Sequence, residues 1–180
     1  IAAGRLRNPD GSPRYPIVIS LAAEAIGDDE VSPLRDYVSS GGFLLIGSSS
    51  FTRKPDGTTR SDFALANEMG VHMVNSNLSN WYLNSHFTKR TEHRLTSHIP
   101  NGTLEWSAPM SSDQTPWTIF PSYNFHSQHY AWQVVASGAT DIADGDSSPL
   151  LTVKNYGQGQ FIYHGVLQPL IFHGGYDPGM

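Results

Sequence analysis

A strand, a helix and a second strand follow one another within about thirty residues near the start of this chain. The first strand is predicted across Tyr15–Leu21, a β-branched apolar run typical of a strand buried on both faces. The helix is predicted across Asp28–Ser40 and the second strand across Phe43–Ile46. A crossover of this kind joins parallel strands and places a helix on the sheet face. The sequence therefore predicts an α/β fold.

The helix has two possible starts. Either Asp28 caps it, or Ser32 does so with Pro33 in the first turn. Gly41 supplies the left-handed residue that ends it.

Later elements are shorter and separated by glycine, proline and serine. Ser61–Met69 is predicted to be a short helix and Val71–Val74 a strand. The late strand candidates, expected to be antiparallel, are Leu104–Trp106, Trp117–Phe120, Tyr130–Ala136, Leu150–Lys154 and Gln160–His164. Residues 75–132 are interpreted as an irregular, aromatic-rich insertion within a single domain that spans residues 1–180.

Composition excludes several classes of protein. The net charge is −5 without a basic run, which argues against nucleic-acid binding. No apolar run approaches the roughly 18 residues that a membrane span needs. The chain has no cysteine, so thiol nucleophiles, disulfides and cysteine zinc sites are excluded. We expect no cofactor. The low charged fraction of 15% and the many small polar residues favour an extracytoplasmic or secreted protein.

The order of four segments resembles class I glutamine-amidotransferase-like domains: YPIVISL, DDEVSPLRDYVSSGGFLLIGSSSF, TTRSDFALANEMGV and SPLLTVKNYGQGQFIYHG. The likeness is closest to the non-catalytic branch found as the trimerisation domain of some β-galactosidases and in related multidomain bacterial proteins. It implies a flavodoxin-like three-layer sandwich with a mostly parallel sheet and antiparallel late strands. Domains of this family begin with a further strand and helix, which are absent here. We interpret the chain as an excised piece of a longer protein.

The catalytic members of this family carry a Cys on a sharp turn after a strand, followed by a His and a Glu after a late strand. The turn maps onto GSSSF, where Ser49 takes the place of the thiol and Phe51 replaces a glycine. His164 falls where the family's His lies, but Val166 occupies the position of the Glu. The resemblance therefore implies a domain without the amidotransferase triad.

Ser49 and His164 are also the candidate residues of a serine-dependent hydrolase, with Asp177 or another acid as the orienting group. A serine-rich strand exit is more often the hydrogen-bonding chemistry of a loop, which is the alternative we favour.

Two further hypotheses concern ligands. His126 and His129, three residues apart, are candidate metal ligands, although a zinc site needs three or four converging groups. The aromatic residues suggest stacking against sugar rings, whereas most large aromatics fill cores or interfaces. Trp132, in the strand-like run YAWQVVA, fits the core alternative. The candidates for carbohydrate binding are Trp81, Tyr82, Trp106 and Trp117.

The favoured prediction is a non-catalytic accessory or assembly domain of a larger bacterial protein, one that acts on carbohydrate. Its partners would be other domains or subunits of that protein. A serine hydrolase and a carbohydrate-binding module are the alternatives.

Overall fold

The computed structural model describes residues 4–21, 23–74, 81–84, 86–105 and 129–166, with the backbone alone for 81–84, 86, 104, 105, 129 and 130. In these ranges the helices are α1 (Asp28–Ser39) and α2 (Ala66–Met69), and a 3-10 helix spans Arg94–Thr96. The strands are β1 (Ile17–Ser20), β2 (Phe43–Gly47), β3 (Val71–Met73), β4 (Trp81–Asn84), β5 (His86–Lys89), β6 (Gly102–Glu105), β7 (His129–Trp132), β8 (Val134–Ala136), β9 (Thr140–Asp144), β10 (Pro149–Tyr156) and β11 (Gly159–His164). No helix within these ranges is long and apolar enough to cross a membrane.

Seven strands form one mixed sheet in the order β1-β2-β11-β10-β9-β5-β6. β1, β2 and β11 are parallel, and the other neighbours are antiparallel. The α/β fold is thus confirmed, and so is antiparallel pairing for the late strands β6, β9 and β10, whereas the strand predicted across Trp117–Phe120 lies outside the described residues. Antiparallel pairing occupies a larger share of the described sheet than the sequence indicated.

The helix α1 begins at Asp28, the earlier of the two predicted starts, and Pro33 lies inside it. The residue before the helix is Gly27, whose N–H donates to the Glu30 carboxylate at 2.9 Å. The first backbone N–H groups of a helix have no partner within the helix, and the Glu30 carboxylate satisfies one of them. The buried side chains of the helix are Leu34, Tyr37 and Val38.

The end of α1 is held by the turn between β10 and β11. The N–H of Gln158 in this turn donates to the carbonyl oxygen of Ser39 at 3.0 Å. A Cβ on Gly159 would overlap the carbonyl oxygens of Val38 and Gly42. The glycines of the YGQG segment therefore permit a backbone approach that larger residues would block.

Two apolar clusters cover the two faces of the sheet, because side chains alternate along each strand. Leu44 and Ile46 of β2 lie in the first cluster with the buried side chains of α1. Ile162 of β11 lies in the second, against which Leu45 packs. The helices thus cover one face, while loop residues that include Leu95 cover part of the other.

The prediction that β1 is buried on both faces is wrong. Ile17 and Ile19 are 45% and 56% exposed, because β1 lies at the edge of the sheet and helices cover only its other face. The helix predicted across Ser61–Met69 is also shorter, since α2 starts at Ala66. Asp62 instead accepts hydrogen bonds from two backbone N–H groups, those of Phe63 and Met73.

Residues 75–132 are not wholly irregular. Within this range β5 and β6 extend the main sheet, and β4 pairs with β7. The polar and aromatic composition concealed these short strands because it gave no clean alternation.

Candidate functional site

The carboxyl ends of three parallel strands meet at one edge of the sheet. Ser20 ends β1, Gly47 ends β2 and His164 ends β11. In register, Gly47 lies opposite His164, and Ser20 lies opposite Ile46. Ligands of open α/β sheets bind outside this edge. We therefore take it as the candidate site.

The turn after β2 has an unusual backbone. Ser48 and Phe51 both have positive φ, of 29° and 67°. The N–H of Ser48 donates to the carbonyl oxygen of His164 at 2.7 Å, which ties the turn to the neighbouring strand. A Cβ on Gly47 would lie 2.5 Å from the carbonyl oxygen of Leu21, so only glycine fits there. Phe51, which replaces the family's glycine, itself takes the left-handed conformation in this turn.

Ser49 is buried at the centre of this turn, with 2% of its surface exposed. Its hydroxyl donates to Glu24 Oε1 at 3.3 Å. The other oxygen of the Glu24 carboxylate accepts from Arg53 Nε at 2.9 Å. Thr52 Oγ1 donates to the Ser49 carbonyl oxygen at 2.7 Å. The Ser49 hydroxyl is thus part of a hydrogen-bonded group that ends in an ion pair.

The two flanking serines are buried as well. Ser50 Oγ donates to the carbonyl oxygen of Ser20 at 3.0 Å, which joins the turn to the end of β1. Ser48 Oγ is buried without a hydrogen-bond partner in the part of the chain that the structure describes. A buried hydroxyl without a partner costs free energy, so this residue is a weak point of the turn.

The ring of His164 is held by its own backbone. Its Nδ1 lies 3.2 Å from the carbonyl oxygen of Val166. Because a carbonyl oxygen only accepts, Nδ1 carries the proton and Nε2 is left as the acceptor. Burial lowers the pKa of His164, and the bond to Val166 opposes this only in part. The imidazole is therefore neutral near neutral pH.

The structure places Ser49 in the turn after β2 and His164 at the end of the neighbouring β11, but directs their hydrogen bonds to different partners. Activation of a serine requires a hydrogen bond of about 2.6–3.2 Å between its hydroxyl and the base. Among the described residues the Ser49 hydroxyl binds Glu24 instead. Val166, at the position of the family's acid, is 3% exposed within the second apolar cluster. Asp177 lies outside the described residues.

Sequence reasoning missed Glu24 and Arg53. Their backbones meet where the segments after β1 and β2 run side by side, since Ala25 forms a parallel bridge with Arg53. The signal was present in the parallel pairing, because residues that follow neighbouring parallel strands meet at the same edge.

The structure describes only some of the aromatic residues that are candidates for carbohydrate binding. Trp81 and Tyr82, expected in a polar loop, lie in β4 opposite Trp132 and Ala131, and their side chains are outside the description. Trp106 and Trp117 fall outside the described residues. Trp132 is 2% exposed in the first cluster, which confirms its predicted place in the core. Carbohydrate binding by the other four aromatic residues stays a prediction.

Metal binding by His126 and His129 also stays a prediction. His126 lies outside the described residues, and His129 is described by its backbone in β7 alone. In the described ranges no group of three or more histidine or carboxylate side chains converges as metal ligands.

No protein-family model and no curated protein matches this chain. Solved structures of similar fold include Gan42B, a GH42 β-galactosidase from G. stearothermophilus, with a TM-score of 0.56 and 15% identity over 85% of this chain and 19% of that chain. A β-galactosidase from Halorubrum lacusprofundi has a TM-score of 0.56 and 16% identity over 85% of this chain and 20% of that chain. The cytoplasmic protein STM1381 from Salmonella typhimurium LT2 has a TM-score of 0.54 and 17% identity over 84% of this chain and 60% of that chain.

These identities are low, so the likeness shows the fold alone. This chain spans about a fifth of the length of the two β-galactosidases. The fold described here therefore also occurs as one part of larger carbohydrate-active proteins.

Proposed function

We propose that this chain is a non-catalytic accessory or assembly domain of a larger bacterial protein that acts on carbohydrate. We propose further that its fold is the glutamine-amidotransferase-like form of the flavodoxin-like sandwich, as one domain over residues 1–180 with an insertion at 75–132. The likeness to parts of GH42 β-galactosidases supports a carbohydrate-active parent protein. Other domains or subunits of the same protein would then be its partners.

The observation that carries this proposal is the environment of Ser49. A nucleophile must reach its substrate, and Ser49 is 2% exposed. Its hydroxyl donates to Glu24, a carboxylate already paired with Arg53, rather than to a histidine. Val166 is apolar and occupies the position of the family's acid, so this position supplies no carboxylate to orient His164. The turn therefore serves to join strand ends.

A serine-dependent hydrolase is the second candidate, and one observation favours it. Ser49 lies between two residues of positive φ, Ser48 and Phe51, in the turn that follows β2. Strained turns of this kind present the nucleophile in α/β hydrolases. His164, at the end of the adjacent strand β11, would have to turn its ring toward the serine.

Labelling with a fluorophosphonate probe separates the two candidates. We expect the purified chain to give no covalent adduct and no ester hydrolysis above the level of its Ser49→Ala variant. The reason is that a buried hydroxyl, bonded to an ion-paired carboxylate and not to a histidine, neither reaches nor attacks the probe. An adduct mapped to Ser49 by mass spectrometry, lost in Ser49→Ala and in His164→Gln, would establish the hydrolase and reject the non-catalytic function.

Sedimentation velocity over a concentration series tests the assembly part. Self-association that rises with concentration supports contacts between copies of this domain. A monomer at every concentration restricts the role to contacts with other domains of the same polypeptide.

A further inference from the structure

The main sheet ends at β1, and the outer side of this strand carries none of the usual protection. β1 pairs with β2 on one side, and no strand of the described ranges pairs with the other. Edge strands of native proteins commonly carry a charge, a proline or a bulge, which discourages pairing with another chain. The four residues of β1 read IVIS, and their register with β2 has no shift. This edge can therefore accept a further strand.

The groups that a further strand would meet belong to Ile17 and Ile19. The carbonyl oxygen of Pro16 accepts from the N–H of Phe43 in β2 at 3.1 Å. Backbone groups point alternately to the two sides of a strand, so the N–H and C=O groups of Ile17 and Ile19 point away from β2. The side chains of both residues are also exposed, at 45% and 56%. We call these two residues the free edge.

The free edge is complementary to itself in an antiparallel, two-fold arrangement. With the axis beside Val18, Ile17 of each copy lies opposite Ile19 of the other. Residues opposed in this way exchange both of their hydrogen bonds, so every outward backbone group of the free edge gains a partner. The four isoleucine side chains would then form one apolar row, flanked in each copy by Phe43 and Leu45 of β2.

The charges at the two ends of β1 favour the same orientation. Arg14, before the strand, is exposed, and its guanidinium lies 5.9 Å from the centre of the Tyr15 ring. Glu24, after the strand, has a side chain that is 47% exposed. Antiparallel pairing brings the start of one β1 to the end of the other, and so brings Arg14 of each copy toward Glu24 of its partner. A parallel arrangement would bring like charges together, and charges at a rim act chiefly on orientation.

We propose that two copies of this domain pair through the free edge, antiparallel, about a two-fold axis beside Val18. This inference rests on the assembly role in the proposed function and names the surface that performs it. The contact consists of two short strands and is smaller than the roughly 800 Å² per partner of a stable complex. We therefore expect a weak dimer that forms as the protein concentration rises.

A charge exchange tests the proposal. One variant carries Ile17→Glu and Ile19→Glu, and the other carries Ile17→Lys and Ile19→Lys. In sedimentation velocity each variant alone should associate on the order of tenfold more weakly than the native sequence, because like charges oppose each other across the pair. An equimolar mixture should regain the dimer, because opposite charges then face each other. Val135→Lys is the control: Val135 is 49% exposed on the separate β3–β8 pair, so this change should leave association unaltered.

Three results would overturn the proposal. The first is a monomer at every concentration, and the second is a closed trimer, since a two-fold contact joins two copies only. The third is a dimer that both charge variants retain when each is measured alone, which would assign the contact to another surface. None of these results makes the domain catalytic, whereas a fluorophosphonate adduct on Ser49 would reject the proposed function itself.

Hydrogen exchange followed by mass spectrometry locates the contact without any substitution. Amide exchange in β1 should slow as the protein concentration rises, because the N–H groups of Ile17 and Ile19 become hydrogen-bonded. β6 ends the described sheet on its other side and serves as the matched control, with exchange that does not depend on concentration. Slowing at β6 and not at β1 would contradict the proposed pairing.

Discussion

Gly159 lies so close to the backbone of Gly42 that its position leaves no room for a side chain. The N–H of Gln160 donates to the carbonyl oxygen of Gly42 at 3.2 Å, and a Cβ on Gly159 would overlap that same oxygen. A Cβ on Gly42 would overlap the ring of Tyr37. The end of α1 and the start of β11 are therefore joined through backbone contact.

Gly159→Ala should lower the free energy of unfolding by about 3 kcal/mol, because the added methyl group must displace backbone atoms on both sides. The measurement is urea unfolding followed by circular dichroism. Gly57→Ala is the control, because a Cβ there would meet nothing within 4 Å, although its φ of 86° is itself unfavourable for alanine. It should cost about 1 kcal/mol. Equal losses in the two variants would contradict the close approach.

Tyr37→Phe should lower the free energy of unfolding by about 1 kcal/mol at neutral pH. The single proton of the Tyr37 hydroxyl is shared between the carbonyl oxygens of Tyr15 at 2.9 Å and Phe43 at 3.1 Å, which joins the starts of β1 and β2. Urea midpoints give the loss.

Burial raises the pKa of Tyr37, because the charged phenolate is poorly solvated there. The unfolded chain then ionises first, so this contribution to stability is complete below the ordinary value of about 10 and is lost as pH rises above it. Tyr37→Phe should reduce the alkaline loss of stability. Tyr15→Phe, an exposed control, should leave that loss unchanged. A similar alkaline loss in all three proteins would refute the assignment.

Ser48→Gly should raise the free energy of unfolding by about 1 kcal/mol, although it removes a side chain from a buried turn. The change relieves a φ of 29° and deletes a hydroxyl that has no partner among the described residues. Thermal unfolding by calorimetry measures the gain.

Ser50→Gly is the matched variant two residues on. Its hydroxyl donates to the Ser20 carbonyl oxygen at 3.0 Å, so we expect a loss of about 1–2 kcal/mol. Opposite signs for the two glycine substitutions support the described turn. A loss in both would show that the Ser48 hydroxyl has a stabilising partner.

His164 should make the protein sensitive to acid. Burial lowers its pKa in the native state, so the unfolded chain takes up a proton that the native chain does not. Its contribution to stability is complete above the ordinary value of about 6.5 and is lost as pH falls through the lower native pKa. Urea midpoints measured from about pH 7.5 to about pH 5 should fall for the native sequence and fall less for His164→Gln.

His98→Gln serves as the control for this series, because His98 is exposed. Its pH dependence should match that of the native sequence. If His164→Gln retained the full acid sensitivity, another group would have to be responsible.

Short-range sequence signals predicted the position of the helix in the first strand–helix–strand unit well. The acidic residues after Gly27 and the glycine at position 41 bracket α1 at Asp28–Ser39, one residue shorter than predicted. They succeed because helix ends depend on neighbouring backbone groups. The turns near Asp144 and Gly157, where β9, β10 and β11 begin or end, likewise depend on their own residues.

Features that depend on distant neighbours were missed. The run Tyr130–Ala136 reads as one strand, yet it divides at Gln133 into β7, which pairs with β4, and β8, which pairs with β3. The ion pair of Glu24 with Arg53 shows in no local pattern and follows only from the parallel pairing of β1 with β2, which brings the segments after these strands side by side. The prediction that β1 is buried on both faces was wrong for the same reason, since the position of a strand at the edge depends on the whole sheet.

The place of β11 in the sheet sets an order on synthesis and folding. It lies between β2 and β10, although more than a hundred residues separate it from β2 along the chain. Until residues 159–164 have emerged from the ribosome, β2 keeps a bare edge of unpaired N–H and C=O groups beside apolar side chains. Such an edge can pair with other chains. The nascent protein is therefore most prone to aggregation just before its last described strand is made.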